Sequence, residues 1–254
     1  GRYKLNFNAD GTYTTGQRKG SLRKDTVITS IPKFNLESSL TNGFIKFAAL
    51  PQGVEQISLK LNASCKDGVY EHTQLNIEDI NAKVMSNFIK GHFKITNEAD
   101  FPLEGQLQTV FHLSDIKEFY PLDSLDLNGD LNIDINTKGR YNPAKSLFPV
   151  TTALLKLNNG SIKTKYYPAP LQKIIVDATV INNTGKMNDL KVDLKPVSFE
   201  LDNLPFTVQA SLQQFSDLRY AIASKGTLDL GKIYKVFAIE GYNVNGFIQT
   251  HLSP

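Results

Sequence analysis

Residues 125–135 read Leu-Asp-Leu-Asn-Gly-Asp-Leu-Asn-Ile-Asp-Ile, in which apolar and polar side chains alternate. Successive side chains of a β-strand point to opposite faces, so a period of two places the apolar residues together on one face. These residues are Leu125, Leu127, Leu131, Ile133 and Ile135. The stretch therefore predicts a long antiparallel strand with one dry face and one wet face.

The same alternation recurs along the chain. Residues 190–194 read Leu-Lys-Val-Asp-Leu, which places Leu190, Val192 and Leu194 on a dry face. Pairs such as Asn42-Gly43 and Asn159-Gly160 favour tight hairpins, so we predict turns between strands at these positions.

Two short segments have the pattern of helices. The first covers residues 114–120, with Ser114 as the N-cap and Pro121 as the stop. The second covers residues 231–240, before a glycine at position 241. The rest of the chain is predicted to be strands and turns.

Residues 42–135 recur as residues 159–252. Asn42-Gly43 returns as Asn159-Gly160, and Asn128-Gly129 returns as Asn245-Gly246, each 117 positions later. Matched glycines indicate matched turns, because glycine adopts backbone angles that other residues resist. The sequence thus predicts two copies of one β unit. Residues 136–158 are predicted to connect them, and residues 1–41 are interpreted as strands that could end a preceding copy. No linker rich in Pro, Gly and Ser divides the chain, which favours one continuous domain.

Composition narrows the function classes. The chain has 254 residues, of which 41% are hydrophobic, so it is long enough to fold. Its net charge of +3 comes from acids and bases mixed along the same strands, which argues against a nucleic-acid surface. The single cysteine, Cys65, excludes an internal disulfide and forms no metal site.

One dense basic patch stands out. It consists of Arg18, Lys19, Arg23 and Lys24. A solvated loop would account for such a patch. The more specific hypothesis is that the patch contacts anionic lipid headgroups.

A dry face repeated over many strands exposes more apolar area than a soluble monomer tolerates, so something must cover it. Covering one Leu or Ile side chain contributes about 1.5 to 3 kcal/mol. A second sheet could supply the cover, but a repeat array favours an elongated, curved antiparallel sheet, a half-pipe whose apolar face remains a groove for acyl chains. The predicted lipid-facing residues are Leu125, Leu127, Leu131, Ile133, Ile135, Leu190, Val192 and Leu194.

Catalytic motifs are missing from the sequence. No glycine-rich phosphate loop leads from a strand into a helix, and no Gly-x-Ser-x-Gly elbow occurs. The four histidines, His72, His92, His112 and His251, are predicted to stand in separate strands and are interpreted as surface residues. We therefore predict a protein that is not an enzyme and needs no metal or cofactor.

One family combines these features. Residues 113–122 (Leu-Ser-Asp-Ile-Lys-Glu-Phe-Tyr-Pro-Leu), followed by residues 125–139, resemble the C-terminal region of AsmA-family proteins. In that region a short helix precedes a strand that carries a Gly, and an alternating stretch ends at another Gly. Residues 230–237, leading into residues 244–246, are a weaker version of the pattern. The resemblance covers most of the chain, although its motifs are degenerate.

The resemblance implies an envelope protein of a Gram-negative bacterium. Such proteins are anchored to the inner membrane by one N-terminal helix and place their repeats in the periplasm, where they take part in outer-membrane assembly and in phospholipid transport along a hydrophobic β-groove. The richness in Asn and Lys is similar to that of Bacteroidetes proteins. The chain departs from the pattern because it lacks the anchor helix and most of the length of an envelope bridge.

Two other hypotheses compete with that of an AsmA-like envelope protein. A cell-surface binding module or adhesin made of two closed β-sandwiches would also alternate along its strands. An outer-membrane barrel would do so as well, but the chain has no Trp, and charged groups occur throughout its polar faces. The adhesin is the alternative that the sequence leaves open.

Overall fold

A computed structural model describes residues 1–17, 26–215, 217–237 and 244–251. The strands are β1 (Arg2–Asp10), β2 (Thr14–Gln17), β3 (Thr26–Ser30), β4 (Lys33–Ile45), β5 (Val54–Cys65), β6 (Gln74–Val84), β7 (Asn87–Thr96), β8 (Pro102–His112), β9 (Leu125–Arg140), β10 (Val150–Thr164), β11 (Leu171–Asn182), β12 (Lys191–Leu201), β13 (Leu204–Gln213), β14 (Arg219–Asp229) and β15 (Phe247–His251). The helices are α1 (Ile116–Phe119) and α2 (Leu230–Phe237), with 3₁₀ turns at Tyr70–His72, Leu113–Asp115, Pro143–Lys145 and Met187–Asp189.

Thirteen of the strands form one antiparallel sheet. Its order is β1, β4 and then β5 to β15 in sequence, while β2 and β3 form a separate hairpin. Strands β1 and β15 are the two edges and do not pair with each other, so the sheet is open. The prediction of an elongated, curved antiparallel sheet is confirmed. Two separate sandwiches are not the architecture, because β8 pairs with β9 and the sheet continues through the middle of the chain.

The two copies have the same strands and the same irregularities. Strands β5 to β8 return as β11 to β14, each displaced by 117 residues at both ends. The register between β4 and β5 shifts at Gly43, and the register between β10 and β11 shifts at Gly160. The strand correspondence begins at Lys33 and Val150, which lie upstream of the sequence repeat.

The Asn-Gly pairs are β-bulges and not hairpin turns, so this part of the sequence prediction is wrong. Asn42 and Asn159 lie inside β4 and β10, with φ angles of 52° and 49°. Both a hairpin turn and a bulge need a residue that tolerates the left-handed region, which is why the same dipeptide serves either purpose. A Cβ on Gly160 would lie 3.0 Å from Ile174 Cβ and 3.2 Å from the Ile174 carbonyl oxygen, so the close approach of β11 at the bulge favours a glycine.

The first strand is the counterpart of β9. Strand β1 pairs with β4 in the register that β9 has with β10, because Lys33 faces Asp10 and its counterpart Val150 faces Lys138. In this alignment, residues 1–11 correspond to residues 129–139, an offset of 128. The first residues of the chain therefore belong to the same repeat as the rest.

A glycine follows β1, and another glycine lies at the corresponding position of β9. Gly11 and Gly139 have φ angles of 119° and 147°. A Cβ on either one would meet the Cα of the proline before the next strand, Pro32 at 3.4 Å or Pro149 at 3.1 Å. The offset exceeds 117 because the segment that follows Gly11 is 11 residues longer than the one that follows Gly139. This longer segment contains β2 and β3.

Both helices follow equivalent strands of the repeat: α2 begins directly after β14, and α1 follows β8 after the 3₁₀ turn Leu113–Asp115. The predicted cap at Ser114 is wrong, because Ser114 lies inside the 3₁₀ turn and makes no capping hydrogen bond there. Helix α1 begins at Ile116 and ends at Phe119, and Tyr120 is extended before Pro121. Helix α2 begins one residue earlier than predicted, and residues 238–243 lie outside the described part of the chain.

The close approach of β9 and β10 gives a test of the bulge. Gly129 and Gly246 have φ angles of 120° and 122°, so Ala at either position carries the same backbone strain. A Cβ on Gly129 would lie 2.7 Å from Gly160 Cα, whereas a Cβ on Gly246 meets no atom within 4 Å. We expect Gly129→Ala to lower the free energy of unfolding by about 1 to 3 kcal/mol more than Gly246→Ala, measured by urea denaturation. Equal losses would show that strand contact does not require this glycine.

Candidate functional site: the apolar face

The apolar residues of β9 line up with those of the neighbouring strands. Residues directly opposite each other in a sheet share a face. Leu131, Ile133 and Ile135 lie opposite Leu157, Leu155 and Ala153 of β10. The row continues through β11 to β12, and its remaining members are Val176, Ala178, Val180, Val192 and Leu194. We call this set the apolar stripe.

The apolar stripe extends into the first copy. Ile135 lies opposite Leu107 of β8, and Leu131 lies opposite Phe111. Further along, Ile77 of β6 lies between Leu61 and Phe93. Thirteen strands about 4.8 Å apart span about 58 Å across the sheet. The stripe is therefore a long band that runs across the strands.

The structure brings together seven of the eight residues predicted to face lipid. Five of them, Leu131, Ile133, Ile135, Val192 and Leu194, belong to the apolar stripe. Leu125 and Leu127 are at the start of β9, opposite Thr164 and Ile162 of β10. Leu190 ends the 3₁₀ turn before β12 and is outside the sheet. All eight side chains are half-buried.

Among the described residues, a cluster of buried apolar side chains closes one end of the dry face. Val236 of α2 is 1% exposed and packs with Leu171, Ile174 and Leu201, which are also buried. Leu157 packs against this cluster, so the cluster lies on the same side of the sheet as the apolar stripe. Helix α2 therefore covers one end of the face, and most of the stripe is left half-covered.

A polar cluster holds α2 in place. The Asp202 carboxylate accepts hydrogen bonds from Lys232 Nζ at 2.5 Å and from Tyr167 Oη at 2.6 Å. The Lys232 ammonium lowers the pKa of Asp202, and the bond to Asp202 raises the pKa of Tyr167. Thr164 also donates to the carbonyl of Val236 at 2.9 Å. Sequence reasoning missed this cluster because its members lie on separate elements with no common motif.

In the first copy, different residues hold the segment that leads into α1. Asn87 is 1% exposed, and its Nδ2 donates to Asp115 Oδ2 at 2.8 Å and to the carbonyl of Val84 at 3.1 Å. Its Oδ1 accepts from the backbone N–H of His112. Asp115 is the counterpart of Lys232, 117 residues earlier. Both copies therefore use a polar side chain at the same position of the repeat, although Asp115 lies in the turn before α1 and Lys232 lies inside α2.

The side of the stripe away from α2 is polar. The hydroxyls of Thr137 and Thr151 lie 2.9 Å apart across β9 and β10. Asn182, at the end of β11, is fully buried, and its Nδ2 donates to the carbonyl of Lys186. In the first copy Cys65 holds this position, and its thiol donates to the carbonyl of Val69 at 3.2 Å. In the second copy the apolar stripe is thus bordered by α2 along one side and by polar groups along the other.

The opposite face carries the charges. Lys138 Nζ lies 3.0 Å from the Glu104 carboxylate, and Lys191 Nζ lies 2.8 Å from that of Asp193. The bonded ammonium groups lower the pKa of both Glu104 and Asp193. Exposed ion pairs contribute little to stability, so their main effect is to keep this face hydrated.

A depression of about 700 Å³ lies over β5 to β8 among residues of the wet face that include Lys60, Asn81, Lys90 and Gln106. Lys60 is paired with Asp79 in it. No group of three His, Cys, Asp or Glu that could hold a metal ion occurs among the described residues.

Two of the histidines pair with carboxylates. His72 lies in a 3₁₀ turn and not in a strand, and its Nδ1 is 2.5 Å from Asp67 Oδ2. His112 Nδ1 is 2.6 Å from Asp130 Oδ1. The predicted headgroup contacts Arg18, Lys19, Arg23 and Lys24 lie outside the described residues.

Comparison of the chain with models of protein families, with curated proteins and with solved structures found no match. The resemblance to the AsmA family therefore rests on the motifs of the sequence. In the part of the chain that the structure describes, no helix has the length and apolar character needed to cross a membrane.

Hydrogen exchange can test whether the Asp202 cluster anchors α2. We expect Asp202→Asn to speed exchange of the α2 amides at pH 7, because the Lys232 ammonium loses its charged partner. Because the pKa of Asp202 is lowered, the ion pair between Asp202 and Lys232 is present above pH 3.8 and is lost as the pH falls through that lowered pKa. The wild-type helix should then exchange like the variant in strong acid.

Asp193→Asn is the matched control, since this carboxylate also accepts from a lysine but lies on the wet face. It should leave exchange in α2 unchanged. Equal effects of the two variants would mean that the Asp202 cluster does not anchor the helix.

The pair of His72 and Asp67 predicts a pH effect. The bond to Asp67 raises the pKa of His72 above 6.5, and the same bond lowers the pKa of Asp67 below 3.8. The stabilisation that comes from the protonated His72 is full below pH 6.5 and is lost as the pH rises through the raised pKa of His72. The stabilisation that comes from the ionised Asp67 is lost as the pH falls through the lowered pKa of Asp67. An NMR titration should place the His72 midpoint above 6.5, and Asp67→Asn should move it downward. No movement would contradict the pairing.

Proposed function

We propose that this chain is a non-enzymatic, AsmA-like envelope protein that binds acyl chains of phospholipid on its apolar stripe and conducts them between membranes. The observation that carries the proposal is the half-burial of the stripe in an open sheet. In a sealed core these side chains would be fully buried. Here four of the seven buried apolar side chains among the described residues belong to the cluster beneath α2, and the residues of the stripe are half-buried.

The shape and energetics of the stripe suit a hydrocarbon guest. A band of Leu, Ile, Val and Ala that crosses many strands offers continuous apolar contact along the sheet. Each CH₂ group taken from water contributes about 0.8 kcal/mol, so an acyl chain gains much more from this band than from scattered exposed residues. The charged opposite face keeps the outer side of the half-pipe in water.

The resemblance to the AsmA family supplies the cellular setting of the proposal. It suggests a periplasmic location, an inner-membrane anchor in the full-length protein, and a part in outer-membrane assembly. The basic patch at Arg18, Lys19, Arg23 and Lys24 is the proposed contact for anionic headgroups, since it gathers four cationic side chains within seven residues.

Lipid mass spectrometry of the purified protein tests the proposal. We expect bound phospholipid after gentle purification, and transfer of a fluorescent phospholipid from donor to acceptor vesicles after delipidation. A protein that arrives free of lipid and also fails to take up the fluorescent probe would overturn the proposal.

A charge on the stripe should block uptake. Leu131 lies between Phe111 and Leu157, so Leu131→Asp places a carboxylate in the path of the acyl chain. We expect uptake to be lost while the free energy of unfolding falls by less than about 3 kcal/mol, because a half-open face lets water reach the charge. Uptake is measured with the fluorescent lipid, and stability by urea denaturation.

Asn132→Asp is the matched control. It adds the same charge to the next residue of β9, but on the wet face and opposite Lys156. Uptake should be unchanged. Loss of folding in Leu131→Asp alone would indicate a sealed interior and contradict the open groove.

A further inference from the structure

The wet face of the sheet is not flat. A depression of about 700 Å³ lies over β5 to β8, and a second one of about 390 Å³ lies beside it, over β7 to β10. Gln108 borders both of them. Strands β5 to β10 all have a neighbour on each side, so the two depressions belong to the interior of the sheet. Their volumes lie within the range of ligand-binding clefts.

Polar side chains line the first depression. Asn81, Lys90 and Gln108 lie side by side on β6, β7 and β8, because Lys90 is opposite both of the others. In the next row Gln106 is opposite His92. Among the described residues, the half-buried side-chain amide of Gln106 has no hydrogen-bond partner. It therefore offers a ligand one donor group and one acceptor group side by side.

The lysines and carboxylates of the first depression balance each other. Lys60 is paired with Asp79. The remaining lysine and carboxylate of its lining are Lys90 and Glu78, which are of opposite sign. A lining without an excess of either charge does not suit a polyanion or a polycation, and it favours a neutral polar ligand.

The second depression adds apolar surface beside these polar groups. Val110 is opposite Phe88, and Leu154 lies two strands away from Val110 with 41% of its surface exposed. All three side chains line the second depression. The Lys90 ammonium lies 5.1 Å from the centre of the Phe88 ring, so Lys90 connects the two depressions.

The second copy shows which of these side chains the repeat keeps. Lys60 is opposite Glu78. Their counterparts, Asp177 and Lys195, are also opposite each other. The repeat thus keeps an acid opposite a base at this place, with the signs exchanged.

Lys90 and Gln106 are not kept in this way. The residues at their positions in the second copy are Thr207 and Ala223. The corresponding strands still pair in the same order there, so the sheet forms without a lysine and an amide at these two positions. Lys90 and Gln106 are therefore free to serve a ligand.

A chain of N-acetylhexosamine units matches this surface in chemistry and length. It is uncharged, and its hydroxyl and acetamido groups donate and accept hydrogen bonds, as amide side chains do. Its ring C–H groups and acetamido methyl groups are apolar and suit Phe88, Val110 and Leu154. The six strands from β5 to β10 span about 24 Å at a spacing of about 4.8 Å, which is long enough for a tetrasaccharide.

We propose that the wet face over β5 to β10 binds a neutral oligosaccharide of N-acetylhexosamine units. Gln106 and Gln108 form hydrogen bonds with its acetamido groups, and Val110 and Leu154 contact its apolar groups. The apolar stripe lies on the other face of the sheet, so this inference does not depend on the proposed lipid binding.

Titration calorimetry of the full chain with chitotetraose, a tetramer of N-acetylglucosamine, tests the proposal. Cellotetraose is the matched control, because it has the same linkage and ring but no acetamido groups. We expect chitotetraose to bind about tenfold more tightly, the factor that one or two additional hydrogen bonds supply. No binding of chitotetraose at millimolar concentration, or equal affinity for the two sugars, would overturn the proposal.

Substitution by residues of the second copy tests the location of the site. Lys90→Thr and Gln106→Ala, made together, give the first depression the residues that the second copy has at these positions. We expect the affinity for chitotetraose to fall about tenfold, since hydrogen-bonding groups are lost. The midpoint of urea denaturation should be unchanged, because the sheet of the second copy forms with these residues.

Lys94→Ser is the control variant. Lys94 lies on the wet side of β7, its counterpart in the second copy is Ser211, and it is outside the lining of both depressions. The substitution removes one positive charge, as Lys90→Thr does, and should leave the affinity unchanged. An equal loss of affinity in Lys94→Ser would point to a general charge effect and overturn the proposed site.

NMR spectroscopy of the unmodified chain locates the contact directly. Chitotetraose should shift the side-chain amide signals of Gln106 and Gln108. Shifts at the Leu131 methyl groups of the dry face, without shifts at these amides, would overturn the proposal. Binding of a neutral peptide rich in Asn and Ser, without binding of chitotetraose, would also overturn it, because the depressions would then be a docking surface for a protein segment.

Discussion

The structure depends on one constraint, which is that apolar side chains of successive strands meet in register on a single face. A slip of one residue between any two strands would move a whole set of Leu, Ile and Val side chains into water. The bulges keep this register over long strands. Each one inserts an extra residue at the same place in both copies, as at Gly43 and Gly160, and lets the sheet bend without moving the apolar residues to the other side.

This constraint explains why the two copies preserve geometry better than side chains. Gly68 and Gly185 keep φ angles of 84° and 78° at the same turn. Around that turn Asp67 pairs with His72 in the first copy, and Thr184 donates to Asp189 in the second. The acidic residue has changed ends, yet the turn is closed in the same way. The backbone path is the feature that both copies share, and several polar pairs can hold it.

Helix α2 seals one part of the dry face. Buried residues gather beneath it, where Val236 closes over the sheet, while the described residues of the stripe between β9 and β12 are half-buried. A half-pipe of this kind is held together by a small core and by the backbone hydrogen bonds between neighbouring strands. The half-buried apolar surface of the stripe is the physical basis of the proposed function.

The sequence alone determined the strands and the dry face, because a period of two needs no information beyond neighbouring residues. Leu131, Ile133 and Ile135 were assigned to one face on that ground, and the register places them together. The spacing from Gly1 to Gly11 equals that from Gly129 to Gly139, so the sequence also contained a sign that β1 repeats β9. An insertion of 11 residues after Gly11 obscured it.

Tertiary structure decided the rest. Asn42-Gly43 fits a hairpin as well as a bulge, and only the pairing of β4 with β5 shows that the strand continues. The cluster of Asp202, Lys232 and Tyr167 joins a turn, a helix and a loop, which no local pattern connects. Local periodicity thus fixed which side of each strand is apolar, whereas contacts between distant segments fixed how much of that side is covered.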